Sequence, residues 1–351
     1  MRRYPVAALI GAALIGATTL AAGASERDEA EGTSGTVFVT ERQLGSMSAF
    51  DGATGQALWT SPTGAAPIGV TRPRDTKKVY TSDEGSNQMS VFDEESGALL
   101  TRIPMGLMPH HLMASPSGHR IYVGEFGQNT VGVIDTSTDA EIAHWVANPL
   151  PTARTHAVFI TQNGKDLYTT NTRVNRAETG DVAKLDARTG TLLCNTPVGA
   201  DPSEILVTPN GNVGYVSVRR ENKIKELDLA GPCPGLTGRE AAIGSQPDTL
   251  QLTHDKTLVV ALRGTPAQIS LLDTRTFTVR IVAIPGHTTT GHHWLSADTR
   301  YSFVAVEFPG GLVVVDNTTG AVVADYPYPN PPGGSRPHGV FFIPDQLGDR
   351  E

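Results

Sequence analysis

Cysteine is almost missing from this chain: Cys194 and Cys233 are the two it has in 351 residues. Their spacing matches no zinc motif, and the lack of a C-x-x-C-H run excludes covalently attached haem. No stretch repeats its apolar residues at the helical period, which argues against amphipathic helices. Charged residues make up only 18% of the chain, and no cluster of Lys and Arg is present. A formal net charge of −8 without a basic patch argues against a nucleic-acid partner. Also missing are a G-x-S-x-G nucleophile elbow, an H-E-x-x-H pair, a Walker phosphate loop and a dinucleotide glycine fingerprint. Glycine and proline, by contrast, are plentiful at 37 and 24, and with sparse charge they suit an all-β chain full of turns.

The one long apolar run lies at the start. Met1-Arg2-Arg3 precedes an apolar stretch from Val6 to Gly23 that reaches Ala22-Gly23-Ala24. A basic start, apolar middle and A-x-A ending predict a secretory signal over residues 1–24. The competing reading is a membrane anchor, but the run is rich in small Ala and Gly and no basic stop follows, so stable membrane insertion is not expected. A secreted or extracytoplasmic location follows. Loss of Arg2 and Arg3 with the signal would move the net charge from −8 to −10. Residues 25–36 read as a flexible leader and 345–351 as a short tail. Outside the cytoplasm, Cys194 and Cys233 could form one disulfide between adjacent repeat units, the alternative being two buried thiols.

Seven times an apolar residue is followed by aspartate: Phe50-Asp51, Phe92-Asp93, Ile134-Asp135, Leu185-Asp186, Leu227-Asp228, Leu272-Asp273 and Val315-Asp316. Successive aspartates lie 42, 42, 51, 42, 45 and 43 residues apart. Such a period marks a unit that cannot bury its own apolar face and must stack on its neighbours. Each repeat carries four short strand patterns separated by turns. In blade three these include Pro109 to Ala114, the Ser117-Gly118 turn, Ile121-Tyr122-Val123 and Val131 to Asp135. The expected fold is an all-β, single seven-bladed β-propeller over residues 37–344. The first unit lacks an innermost strand, and Pro337 to Ile343 has the pattern to supply it, closing the ring in blade one. The aspartates are read as structural, capping the turns that follow them.

The strand phrases Tyr122-Val123-Gly124-Glu125, Tyr168-Thr169-Thr170-Asn171 and Tyr215-Val216-Ser217-Val218, with the recurring apolar-Asp-Thr-x-Thr-Gly turn, resemble the YVTN family of β-propeller repeats. The resemblance covers residues 37–344 and implies the fold. It leaves activity open, because propellers of this kind host lactonases, haem and copper domains, and binding modules.

In a four-stranded blade, the loop into the innermost strand and the loop after the second strand open on one face. The entrance positions are Ile68, His110 (with His111), His156, Ser203, Asp248, His292 or its neighbour His293, and His338. The second-strand ends are Glu41, Asp83, Glu125, Asn171, Arg219, Arg263 and Glu307. Imidazoles from separate blades at one level predict a metal site on His110, His156, His292 and His338, with a transition metal, copper first, as cofactor. Glu125 and Glu307 would orient ligands or move protons. A metal-independent or metal-assisted lactonase or lyase is the alternative, with His156 or His292 as base, Glu125 as its partner and Arg263 steadying oxyanion charge. A non-enzymatic binding or scaffold protein is the third reading. The first two place a small-molecule ligand or substrate at this face. Insertions at 148–153, 173–181, 285–290 and 326–336 gather on the same side, where binding loops are expected.

Overall fold

The computed structural model describes residues 32–328 and 334–345. The expected signal, residues 25–31 of the leader and residues 346–351 of the tail lie outside this range. The described residues form 28 strands in seven four-stranded sheets arranged as a seven-bladed propeller. Blade one pairs the C-terminal strand Pro337–Pro344 against Gly35–Glu41, so the ends of the fold close its ring. The first strand begins at Gly35, taking in the last two residues assigned to the leader from sequence: Thr36 faces Ile343 and Gly35 faces Pro344. Among the described residues no helix is long and apolar enough to cross a membrane.

Burial explains the sequence pattern within each blade. The third strands, such as Thr130–Asp135, are covered on both sheet faces by neighbouring blades and are buried almost continuously. A strand covered on both faces needs apolar residues at successive positions. The outermost strands, such as Leu99–Pro104, are mostly exposed. The apolar core therefore lies between blades. Tyr122, Val131 and Val133 of blade three pack with Leu167, Ala183 and Leu185 of blade four. At the closing seam, Tyr301 and Phe303 meet Val37, Val39 and Phe342.

Each of the seven repeat aspartates accepts backbone N–H groups from the turn that follows it. Asp51 takes Thr54, Asp93 takes Ser96, Asp135 takes Ser137, and Asp186 takes Arg188 and Thr189. Asp228 takes Ala230, Asp273 takes Arg275 and Thr276, and Asp316 takes Thr318 and Thr319. The glycine closing such a turn also packs against the outermost strand of the preceding blade. Gly97, at φ +69, sits under Trp59 with no room for a Cβ.

A second repeated device fixes the level of the innermost strands. Near the end of the second strand, Thr40, Ser82, Thr170 and Ser217 each donate to the carbonyl of an entrance residue in the next blade: Ile68, His110, Ser203 and Asp248. The same hydroxyls accept N–H groups from their own innermost strands, at Gly339, Gly69, Ala157 and Glu204. The hydroxyl occupies the place of a ladder bond, and the inner strand bulges there, as between Pro67 and Val70. These contacts bind blade to blade around the channel mouth.

The structure joins Cys194 and Cys233 in a disulfide. It links the outermost strand Leu192–Ala200 of blade four to the segment just before Gly235–Ala242 in blade five.

Candidate functional site

Five imidazoles form a continuous cluster in the channel. His110 and His111 stack with centroids 4.8 Å apart, and His156 lies 4.4 Å from His110 and 4.8 Å from His111. His111 reaches across to His292, at 4.5 Å, and His292 lies 4.5 Å from His338. All five are at most 8% exposed. The structure thus brings together the four histidines selected from sequence and adds His111. His292, rather than His293, is the member of the cluster. His293 lies one residue deeper, its Nδ1 2.9 Å from the Thr249 hydroxyl.

Burial and mutual repulsion set the charge of these rings. His110 is held well below the usual imidazole pKa by burial, then by His156 and His111. Burial pushes His111 down to about 4. His156 is lowered well below by burial and Arg219, His292 by burial and His338, and His338 by burial and Arg263. Near neutral pH the cluster is a set of uncharged imidazoles with lone pairs available. Nδ1 of His110 and Nε2 of His111, His292 and His293 have no hydrogen-bond partner. Each such buried orphan costs about 1–3 kcal/mol unless something binds it.

Three of the rings are the best placed to share one ion. His110, His111 and His156 each offer a nitrogen, and all three atoms lie within 4.8 Å of one another. His156 Nδ1 lies 2.8 Å from the Ser203 carbonyl, which can only accept, so Nε2 of His156 keeps its lone pair. Phe126 packs on both His110 and His156, and Arg176 covers the outer face of Phe126 at 5.1 Å.

His338 is held differently. Arg263 Nη1 lies 2.9 Å from His338 Nδ1 and 3.3 Å from Glu307 Oε1. Arg336 also reaches Glu307, at 3.1 Å. On the other side, Arg219 donates to Asp248 at 2.6 Å, and Ser203 donates to the same carboxylate oxygen. Burial alone would raise the Asp248 pKa, but Arg219 and the nearby imidazoles overcome it and hold it well below the usual range. A row of imidazoles is therefore flanked by the two guanidiniums and two carboxylates of Arg219–Asp248 and Arg263–Glu307.

Glu125 does not reach this cluster. Its carboxylate accepts from Gly106 N–H at 2.8 Å and Gln128 at 2.7 Å, and also from Thr130. His144 completes that environment at 3.1 Å, and His144 in turn lies 3.2 Å from Glu141. The loop entering blade three needs an acceptor for its N–H, and Glu125 supplies it. Asp83 does the same for Gly64 N–H in blade two. The sequence reading placed these second-strand ends beside the imidazoles; Glu307 and Arg263 are there, whereas Glu125 serves its own blade. His111, Asp248, Arg219 and Phe126 are the members that the sequence reading left without a role.

Fold and site together define a seven-bladed propeller with a buried, imidazole-rich channel. The family model described as PQQ_2, outer membrane protein assembly factor BamB, matches residues 35–222, and the chain belongs to that family. No curated protein matches the sequence. Among solved structures, a functionally unknown protein from Desulfotomaculum acetoxidans superposes with a TM-score of 0.71 at 18% identity, covering 89% of this chain and 100% of that one. The periplasmic gluconolactonase PpgL of Pseudomonas aeruginosa gives 0.66 at 16% identity, covering 88% and 99%. The dihydro-heme d1 dehydrogenase NirN gives 0.61 at 14% identity, covering 88% and 75%. At these identities the likeness is one of fold.

Proposed function

We propose that the protein is an exported propeller that binds a transition-metal ion in its channel and acts as a metal-dependent oxidoreductase on a small molecule, with copper as the preferred ion. The observation that carries this reading is the grouping of His110, His111 and His156, whose ligand nitrogens lie within 4.8 Å of one another in a buried pocket. Their neutral state, the unpaired nitrogens on His110 and His111 and the tautomer of His156 all suit ligation. A set made only of imidazoles favours copper, zinc or nickel over magnesium or calcium. The Cys194–Cys233 disulfide fits an oxidising compartment outside the cytoplasm. His292, next to His111, would face the substrate, and His338 with Arg263 and Glu307 would hold its charge or proton. The YVTN-like strand phrases would then be this family member's form of the blade repeat.

The test is metal analysis of exported, purified protein. Stoichiometric copper, or its uptake on incubation, is expected; protein that holds no metal and takes up none contradicts the reading.

A metal-independent lactonase is the second reading. It draws on Arg263, an oxyanion-stabilising cation in contact with His338 and Glu307, beside a row of neutral imidazoles from which His156 or His292 would serve as base. The periplasmic gluconolactonase among the fold neighbours is consistent with it. Lactone hydrolysis that survives a chelator and is lost in Arg263→Ala would favour this reading over the first.

A further inference from the structure

Below the imidazoles the channel changes character. The opposite end, where the innermost strands finish, opens into a chamber of about 370 Å³. Its wall is formed mainly by Leu112, Val158, Leu206, Leu250, Leu252 and Trp294. His254 and Lys256 stand among its lining residues in the turn after the innermost strand of blade six. A narrower space of about 60 Å³ shares Leu112, Glu204, Leu250 and Trp294 with this chamber and is also lined by His111, His292 and His293. The chamber volume falls within the roughly 300–1,000 Å³ range of small-molecule sites.

Polar groups converge on its inner end. Glu204 borders both spaces, and its Oε2 accepts the Leu250 N–H at 3.1 Å. Its other oxygen has no protein partner among the described residues. Burial, then the nearby Asp248, raises the Glu204 pKa well above the usual carboxylate range, which favours its protonated, hydrogen-bond-donating form. His111 and His292, 7% and 8% exposed, line the narrow space with Nε2 atoms that have no hydrogen-bond partner. A purely packed channel would leave none of these atoms without a partner.

We propose that this chamber is a second binding site, for a small, uncharged, largely apolar molecule carrying a hydrogen-bond-accepting carbonyl at one end. The apolar part lies against Leu206, Leu250 and Trp294, and the carbonyl faces the Glu204 carboxyl. A charged head is disfavoured there, since the wall is apolar and the nearby Arg219 and Arg263 are already paired with carboxylates. The inference does not depend on a metal occupying the imidazole cluster.

Prodan, a neutral naphthyl ketone whose emission reports polarity and hydrogen bonding, is a suitable probe for titration of the mature, disulfide-bonded protein. Saturable binding with blue-shifted emission is expected. Leu206→Trp fills the chamber and should abolish it. Glu204→Leu removes the donor and should weaken binding roughly tenfold, the effect of one lost hydrogen bond to a neutral partner, while shifting emission further to the blue. Leu250→Phe narrows the facing wall and gives the same test should Leu206→Trp fail to fold. Absence of saturable binding, or unchanged binding in a folded chamber-filling variant, overturns the proposal. Metal content measured on the same samples keeps this result separate from the metal reading.

Discussion

The guanidinium of Arg263 donates to Nδ1 of His338 across 2.9 Å. That contact occupies the lone pair of Nδ1 and places the ring proton on Nε2, so His338 is set up to donate a hydrogen bond. The same guanidinium sits 3.3 Å from Glu307. It thereby ties blade six to the strand that closes the ring in blade one.

Removal of that cation should be costly. Arg263→Ala leaves Glu307 with Arg336 as its remaining cation, and leaves Asp248 with Arg219. A loss of about 3 kcal/mol is expected, the scale for breaking one side of a buried ion pair. Denaturant melts would show it. Metal uptake should be retained, because Arg263 lies outside the three-imidazole group.

Stability of the metal-free protein should fall on acidification. His111 and His293 are pushed down to about 4 by burial, against an ordinary value of 6.5. The unfolded chain binds their protons first, so their contribution is complete above pH 6.5 and is lost as the pH drops toward 4. Each is worth on the order of 3 kcal/mol over that window. Melts at stepwise lower pH should give a steep decline, and His293→Asn should flatten it.

The hydroxyl bridges between blades make a different prediction. Thr170 donates to the Ser203 carbonyl at 2.7 Å and accepts the Ala157 N–H at 3.1 Å. Thr170→Val keeps the shape and strands both backbone groups, costing about 1–3 kcal/mol. Thr170→Ser should restore most of it, and the comparison of melts separates bonding from packing.

Reduction should weaken the protein without unfolding its ring. The disulfide closes a loop with a sequence separation of 39 residues. Loop-closure entropy for such a length gives about 4 kcal/mol as an upper measure. Melts of Cys194→Ser protein against wild type test this.

The repeated aspartates made the blade count and the closing strand readable, because each serves one local purpose in every repeat. The entrance imidazoles were readable for the same reason: position within a repeat fixes height in the channel. His111 was not. A regular strand would send it to the opposite side from His110, but the inner strand shifts register between Pro109 and Leu112. The bulge lets both rings stack in the channel. A like shift between Thr290 and His293 accompanies the pair His292 and His293. Glu125 misled for a related reason, since strand-end position specifies a level but not which partner claims a carboxylate. The lower chamber left no trace in the sequence at all. Leu206, Leu250 and Trp294 are apolar strand residues like many others in the chain, and only the closed ring reveals that they line a space.

Copper binding by matched single variants would show whether the three-imidazole group holds an ion. Wild-type protein, His111→Ala and His338→Ala would each be loaded with copper, desalted and analysed for metal by mass spectrometry. A stoichiometric ion is expected in wild type and His338→Ala, and its loss in His111→Ala. Metal that persists without His111 but disappears without His338, or an empty wild type, would contradict the three-imidazole site.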